Sequence, residues 1–82
     1  MQSTIEKLID FFAREFLEGS REDLTAETQL LELGILDSLS LLKTAEFIEE
    51  QFGIEINEDD MIPENFQDLN CIYRMIENKK ND

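Results

Sequence analysis

Histidine and tryptophan are absent from the 82 residues, cysteine and proline occur once each, and glycine three times. Without histidine, Ser–His and Cys–His nucleophilic schemes and imidazole zinc sites cannot be built. The lone Cys71 excludes an internal disulfide and a thiolate metal cluster, and it is compatible with a reducing compartment. Basic residues are also scarce. Lys plus Arg number 7 against 20 Asp plus Glu, for a formal charge of −13. Such a field repels nucleic acid and anionic lipid, which bind through cations that displace counterions. No apolar run approaches the roughly 18–20 residues that cross a bilayer. The first residues lack both the basic start and apolar core of a signal peptide and the arginines of a transit sequence. The expectation is a cytoplasmic, acidic, monomeric chain with no nucleic-acid partner, no membrane insertion and no catalysis of its own.

What remains is 41% hydrophobic and 33% charged, the composition of a folded domain. The length allows one domain over 1–82, with a core over about 3–78. Helix signals dominate it. Ser3-Thr4-Ile5-Glu6 reads as a capping box, and Ile5, Leu8, Ile9, Phe12 and Phe16 follow on one helical stripe. This spacing predicts a first helix from about 4 to 17, stopped by Gly19 and Ser20.

Between Glu18 and Asp37 the periodicity fades. Gly19 to Asp23 is polar turn material, and Thr25 and Thr28 suit local capping. Leu24, Leu30, Leu31 and Leu33 are too apolar for a solvated linker, so this loop is expected to lie against the core. Long ordered loops in small domains tend to carry function.

Gly34 ends the loop, and Asp37-Ser38 offers two N-cap residues in a row. A second helix follows with Leu41, Ala45, Ile48 and Phe52 on one face, and Gly53 supplies its stop. Ile54 to Ile56 is an extended link. Asn57 is placed to cap a brief helix over Glu58 to Met61 that Pro63 limits. Asn65 is placed to cap a last helix carrying Leu69, Ile72, Tyr73 and Ile76, with a fraying tail over 78–82. Cys71 reads as a small buried residue of that helix. The fold class is all-α: a small bundle of three main helices plus one short helix, with a long ordered loop between helices 1 and 2.

The stretch from Leu33 to Leu39 is the most informative. Taken alone, Asp37 and Ser38 are ordinary helix caps. However, Ser38 also follows a long core-hugging loop and opens an amphipathic helix with an acidic outer face, where another protein can reach it. Leu33-Gly34 followed by Asp37-Ser38-Leu39 resembles the attachment motif of the acyl carrier and peptidyl (aminoacyl) carrier proteins. The likeness runs from the first helix to Ile76 and includes the long first loop and the Glu49-to-Ile54 run. It implies that a phosphopantetheinyl transferase attaches 4′-phosphopantetheine from coenzyme A to Ser38, and that the arm's thiol carries cargo as a thioester. It also implies that Asp37 helps to position the transferase's magnesium-bound coenzyme A. A serine hydroxyl is a weak nucleophile, and with no histidine in this chain the base must come from the transferase.

Glu46, Glu49, Glu50, Glu55, Glu58, Asp59 and Asp60 fall in one window with no Lys or Arg. A charge run often only keeps a face solvated. Beside an attachment serine it also steers partners with basic patches into fast, weak, salt-sensitive encounters. The expected docking residues are Leu39, Leu42, Lys43, Glu46, Glu49, Glu50, Asp59 and Asp60. Asn57 to Asp60 lacks the spaced ligands and central glycine of a calcium loop. Phe47, Met61, Ile62, Phe66 and Leu69 read as core, and inward-pointing Phe47 and Phe66 would narrow any cargo cleft between the second and third helices.

Carriers of fatty acid synthesis typically have Ala before Asp-Ser-Leu and an acid soon after the serine. Here Ile35-Leu36 replaces the Ala, Ser40 takes the place of the acid, and Lys43 reverses a charge. Gly34-to-Leu39 is closer to free-standing aminoacyl carriers and to specialised biosynthetic acyl carriers. The resemblance therefore implies a loading enzyme and downstream biosynthetic enzymes as partners, with acyl and aminoacyl cargo both open. The alternative is an unmodified acidic helical adaptor that binds a basic protein.

Overall fold

The computed structural model describes residues 3–17 and 24–80, so the expected turn at Gly19 to Asp23 and the end of the tail lie outside the described residues. Four α-helices and one 3₁₀ turn are present, with no strand among the described residues. Helix α1 is Thr4–Phe16, and the Ser3 hydroxyl oxygen accepts from the Glu6 N–H at its start, as the capping sequence requires. Its buried stripe is broader than expected, because Phe11 and Ala13 are buried beside Leu8 and Phe12. Helix α2 is Ser38–Phe52. It ends at Gly53, whose φ of 64° is left-handed and suits a residue without a side chain.

The second half of the chain departs from expectation. A 3₁₀ turn covers only Glu58–Asp60, and a separate four-residue helix, α3, runs over Pro63–Phe66. Pro63 opens that helix at a position where a missing N–H does no harm, and so it starts an element rather than ending one. Asn65 does not cap the last helix. It lies within α3, and its side-chain amide donates to the Asp60 carbonyl at 2.8 Å. Helix α4, Leu69–Lys80, is capped instead by Asp68, whose carboxylate accepts from the Cys71 N–H at 2.9 Å. The tail is helical as far as Lys80, later than the expected fraying.

Helix α4 packs against α1 and α3, and one cluster built around Leu8, Phe12, Leu30, Ile48, Phe66, Leu69, Ile72 and Ile76 forms the core. The loop before α2 is part of it. Leu24 and Leu30 are buried, while the Leu30 N–H donates to the Gln67 carbonyl and the Asn70 N–H to the Ala26 carbonyl. A loop laid on a core must find partners for its backbone, and the α3–α4 junction provides them. Thr25 and Thr28 bond to each other and to nearby backbone, as their local capping role anticipates. Leu33 is the exception among the loop leucines: it is 66% exposed rather than packed on the core. Cys71 is half-buried rather than buried. Burial, and then the neighbouring Asp68, push its thiol pKa up, which leaves it protonated and inert.

Candidate functional site

Ser38 is the first residue of α2 and is exposed. Asp37 precedes it in an extended conformation, and its carboxylate accepts from the Ser40 N–H at 2.9 Å. The Ser40 backbone and then the Ser40 side chain hold the Asp37 carboxyl below the usual aspartate range. Asp37 is therefore a working helix cap, ionised at neutral pH. One of the free amide donors of the helix start is already taken. The positive end of the helix dipole lies at Ser38, next to the Asp37 charge.

The loop delivers Ser38 to this place. The N–H groups of Ile35 and Leu36 both donate to the Leu30 carbonyl, and Leu36 is buried at 3% exposure. Gly34 makes the reversal with a φ of 74°. The backbone is thus anchored up to the residue before Asp37, and the hydroxyl emerges just where anchoring stops. Thr44, two turns along, donates its hydroxyl to the Ser40 carbonyl and is fully buried, fixing the rotation of the helix.

The expected docking residues divide into two groups. Leu39 and Leu42 are 80% and 55% exposed, and Glu46, Glu50 and Asp59 are exposed too. Lys43 is exposed and lies 3.5 Å from Glu15 of α1. Glu49 and Asp60 are half-buried and have partners within the molecule. The Glu49 carboxylate accepts from the Ile56 N–H at 2.9 Å, holding the link after α2. Asp60 pairs with Lys79 of α4 and accepts from the Asn57 N–H. Lys79, and then that N–H, keep the Asp60 carboxyl below its ordinary range. Leu33 and Ile62, expected against the core, are exposed, and no local pattern separates them from their buried neighbours.

Among the described residues, two open clefts stand out on the surface. The larger, about 520 Å³, is lined by Phe52 to Glu55, Asn57, Lys79 and Lys80. It lies at the opposite end of α2 from Ser38, about 20 Å away for a helix of this length. The smaller, about 150 Å³, lies between α1 and α2 and is lined by Lys7, Phe11 and Phe47 among others. Phe66 is fully buried in the core, whereas Phe47 turns toward α1 and stacks on Phe11. Among the described residues no cluster of acids or Cys able to hold a metal ion is present, and no helix is long and apolar enough to cross a membrane.

An exposed serine thus stands at the head of a long helix, delivered by an anchored loop. Residues 6–76 match the family described as "Phosphopantetheine attachment site". The chain belongs to that family. This carrier is 28% identical over 74 residues to "Probable acyl carrier protein PigG" of Serratia sp. (strain ATCC 39006), an alignment that spans 90% of this chain and 85% of that protein. It also superposes with a TM-score of 0.76 and 40% identity on a chain of the solved structure titled "Crystal structure of FAD-dependent dehydrogenase", covering 83% of this chain and 96% of that one. The covalent group of the family is 4′-phosphopantetheine, and its members are carriers rather than enzymes. They work with a phosphopantetheinyl transferase and with biosynthetic enzymes.

Proposed function

We propose that Ser38 is the attachment residue, and that the arm built on it carries an acyl or aminoacyl thioester in a specialised biosynthetic pathway. The observation that carries this reading is the exposed Ser38 hydroxyl at the first position of α2, inside the matched region. In the loading step the Ser38 oxygen attacks the phosphorus of coenzyme A that bears the pantetheine. The bond to the 3′,5′-ADP leaving group breaks, and the hydroxyl proton passes to a base on the transferase. Asp37 caps α2 and presents a carboxylate beside the reacting hydroxyl, where it helps to position the magnesium-bound coenzyme A.

A specialised pathway is supported by the structure titled for a FAD-dependent dehydrogenase. Because this chain spans 96% of the matched chain, the matched chain is itself of carrier size and is not the flavoenzyme. A flavin-dependent dehydrogenase therefore belongs among the enzymes proposed to act on the cargo. A thioester suits such a step, since its carbonyl acidifies the neighbouring C–H. Such an enzyme would supply its flavin as the two-electron acceptor, and the carrier's part would be to present the thioester. We place the carrier in the cytoplasm, in keeping with its one free cysteine.

Intact mass after incubation with coenzyme A and a broad-specificity phosphopantetheinyl transferase tests the attachment. One added phosphopantetheinyl group in the wild type and none in Ser38→Ala supports it. No gain in a folded, unmodified sample leaves Ser38 as merely the first residue of α2 and favours the unmodified acidic adaptor.

A further inference from the structure

The region around Ser38 has a charge pattern opposite to that of the molecule. The chain carries 20 acids, yet between Leu33 and Ala45 the single acid is Asp37, whose carboxylate is engaged with the Ser40 N–H. The first turn of α2 contains no acid, and the one charged side chain in its first two turns is Lys43. Leu39 and Leu42, at 80% and 55% exposed, are among the most exposed large apolar residues described. At helical spacing Leu39, Leu42, Lys43, Glu46 and Glu50 share one side of the helix. Along that side the surface reads apolar, then positive, then negative.

We infer that Lys43, with Leu39 and Leu42, selects a partner whose docking surface is an apolar socket with a carboxylate facing Lys43, and not a continuous basic patch. The inference rests on the reading of Ser38 as the loaded residue. The net charge attracts a cationic partner at long range, but a cation brought against Lys43 is repelled at contact, where specificity is set. The free protein leaves Lys43 available. Its contact with Glu15 is long at 3.5 Å, and the lysine side chain is 61% exposed. A pair of that kind holds a side chain only weakly. An apolar contact next to the arm also excludes water from the place where the phosphodiester forms, whereas a basic patch would keep it wet.

The test compares two phosphopantetheinyl transferases, one with a basic docking face and one with an apolar, acid-rimmed face, by kcat/KM for modification with coenzyme A. The substrates are the full chain, Lys43→Glu, Leu42→Ala, and the double variant Glu15→Lys/Lys43→Glu, which restores the intramolecular pair if the reversal disturbs the fold. The wild type is expected to favour the apolar enzyme, with a rate that changes little with salt. Both Lys43→Glu backgrounds should shift the ratio toward the basic enzyme by about tenfold. Leu42→Ala should lower the rate of the apolar enzyme by about tenfold at unchanged helicity. An unchanged ratio in both charge variants overturns the inference. A wild type that favours the basic enzyme, with a rate collapsing as salt rises, overturns it as well. If neither enzyme modifies folded wild type, the carrier reading itself has failed and takes this inference with it.

Discussion

The ring of Phe47 lies on that of Phe11 with centroids 4.0 Å apart and planes 16° from parallel, joining α2 to α1. Phe11 also meets Phe12 and Phe16 edge-on, and Phe47 meets Phe52, whose ring lies 5.7 Å beneath the Lys7 ammonium. Five of the six phenylalanines thus form one chain of rings around the α1–α2 contact, while Phe66 sits in the core under α3.

That division sets the cost of truncating each ring. Phe66→Ala removes a fully buried ring and should destabilise the fold by about 3–5 kcal/mol. Phe47→Ala, from a half-buried site, should lose roughly 2 kcal/mol, part of it the stacking with Phe11. Urea unfolding followed by circular dichroism measures both. Equal losses would mean that the Phe11–Phe47 contact is as deep as the core.

Ser38→Ala should leave the melting temperature within a degree or two, since exposed substitutions away from special features have small effects, while abolishing the mass gain. Asp37 separates more finely. Asp37→Asn keeps a capping oxygen and loses the charge, whereas Asp37→Ala loses both. Helicity should fall in the alanine variant only, and modification should slow in both. Full modification of Asp37→Asn at the wild-type rate would reduce Asp37 to a cap.

Acid should weaken the fold at two defined points. Asp37 and Asp60 both have pKa values below the ordinary aspartate range in the folded chain. Such groups bind a proton less readily when folded. Their contribution is complete above the unfolded value of about 4 and is lost as pH falls through the lower folded values. Asp60→Asn breaks the pairing with Lys79 that ties the 3₁₀ turn to α4. The variant should melt lower than wild type at pH 7, with the difference shrinking below about pH 4. A difference that persists undiminished at low pH would remove the ion pair as its source.

Gly53→Ala tests the end of α2. A Cβ built there has nothing within 4 Å, so the substitution meets no clash and only the left-handed φ of 64° resists it. The expected cost is about 1 kcal/mol. A larger loss would show that the Ile54-to-Ile56 link also depends on this turn.

Local chemistry alone determined α1 and α2 and made Ser38 the candidate attachment residue. A cap, a helical stripe and a terminal glycine act within a few residues of one another, so Ser3, Asp37 and Gly53 mark their helix ends in any context. The carrier resemblance at Gly34 to Leu39 was legible for the same reason. What only the tertiary structure decided depends on residues far apart in sequence. Lys79 reaches back to Asp60, Glu49 reaches forward to the Ile56 N–H, and Gln67 receives the Leu30 N–H. Those contacts hold the link after α2, the 3₁₀ turn and the α3–α4 junction in place, and they give Glu49 and Asp60 partners within the molecule. They also press Leu30 into the core while Leu33 faces solvent, although the two residues are chemically identical. A leucine's burial is set by which surface the folded chain brings against it, and that surface comes from another part of the molecule.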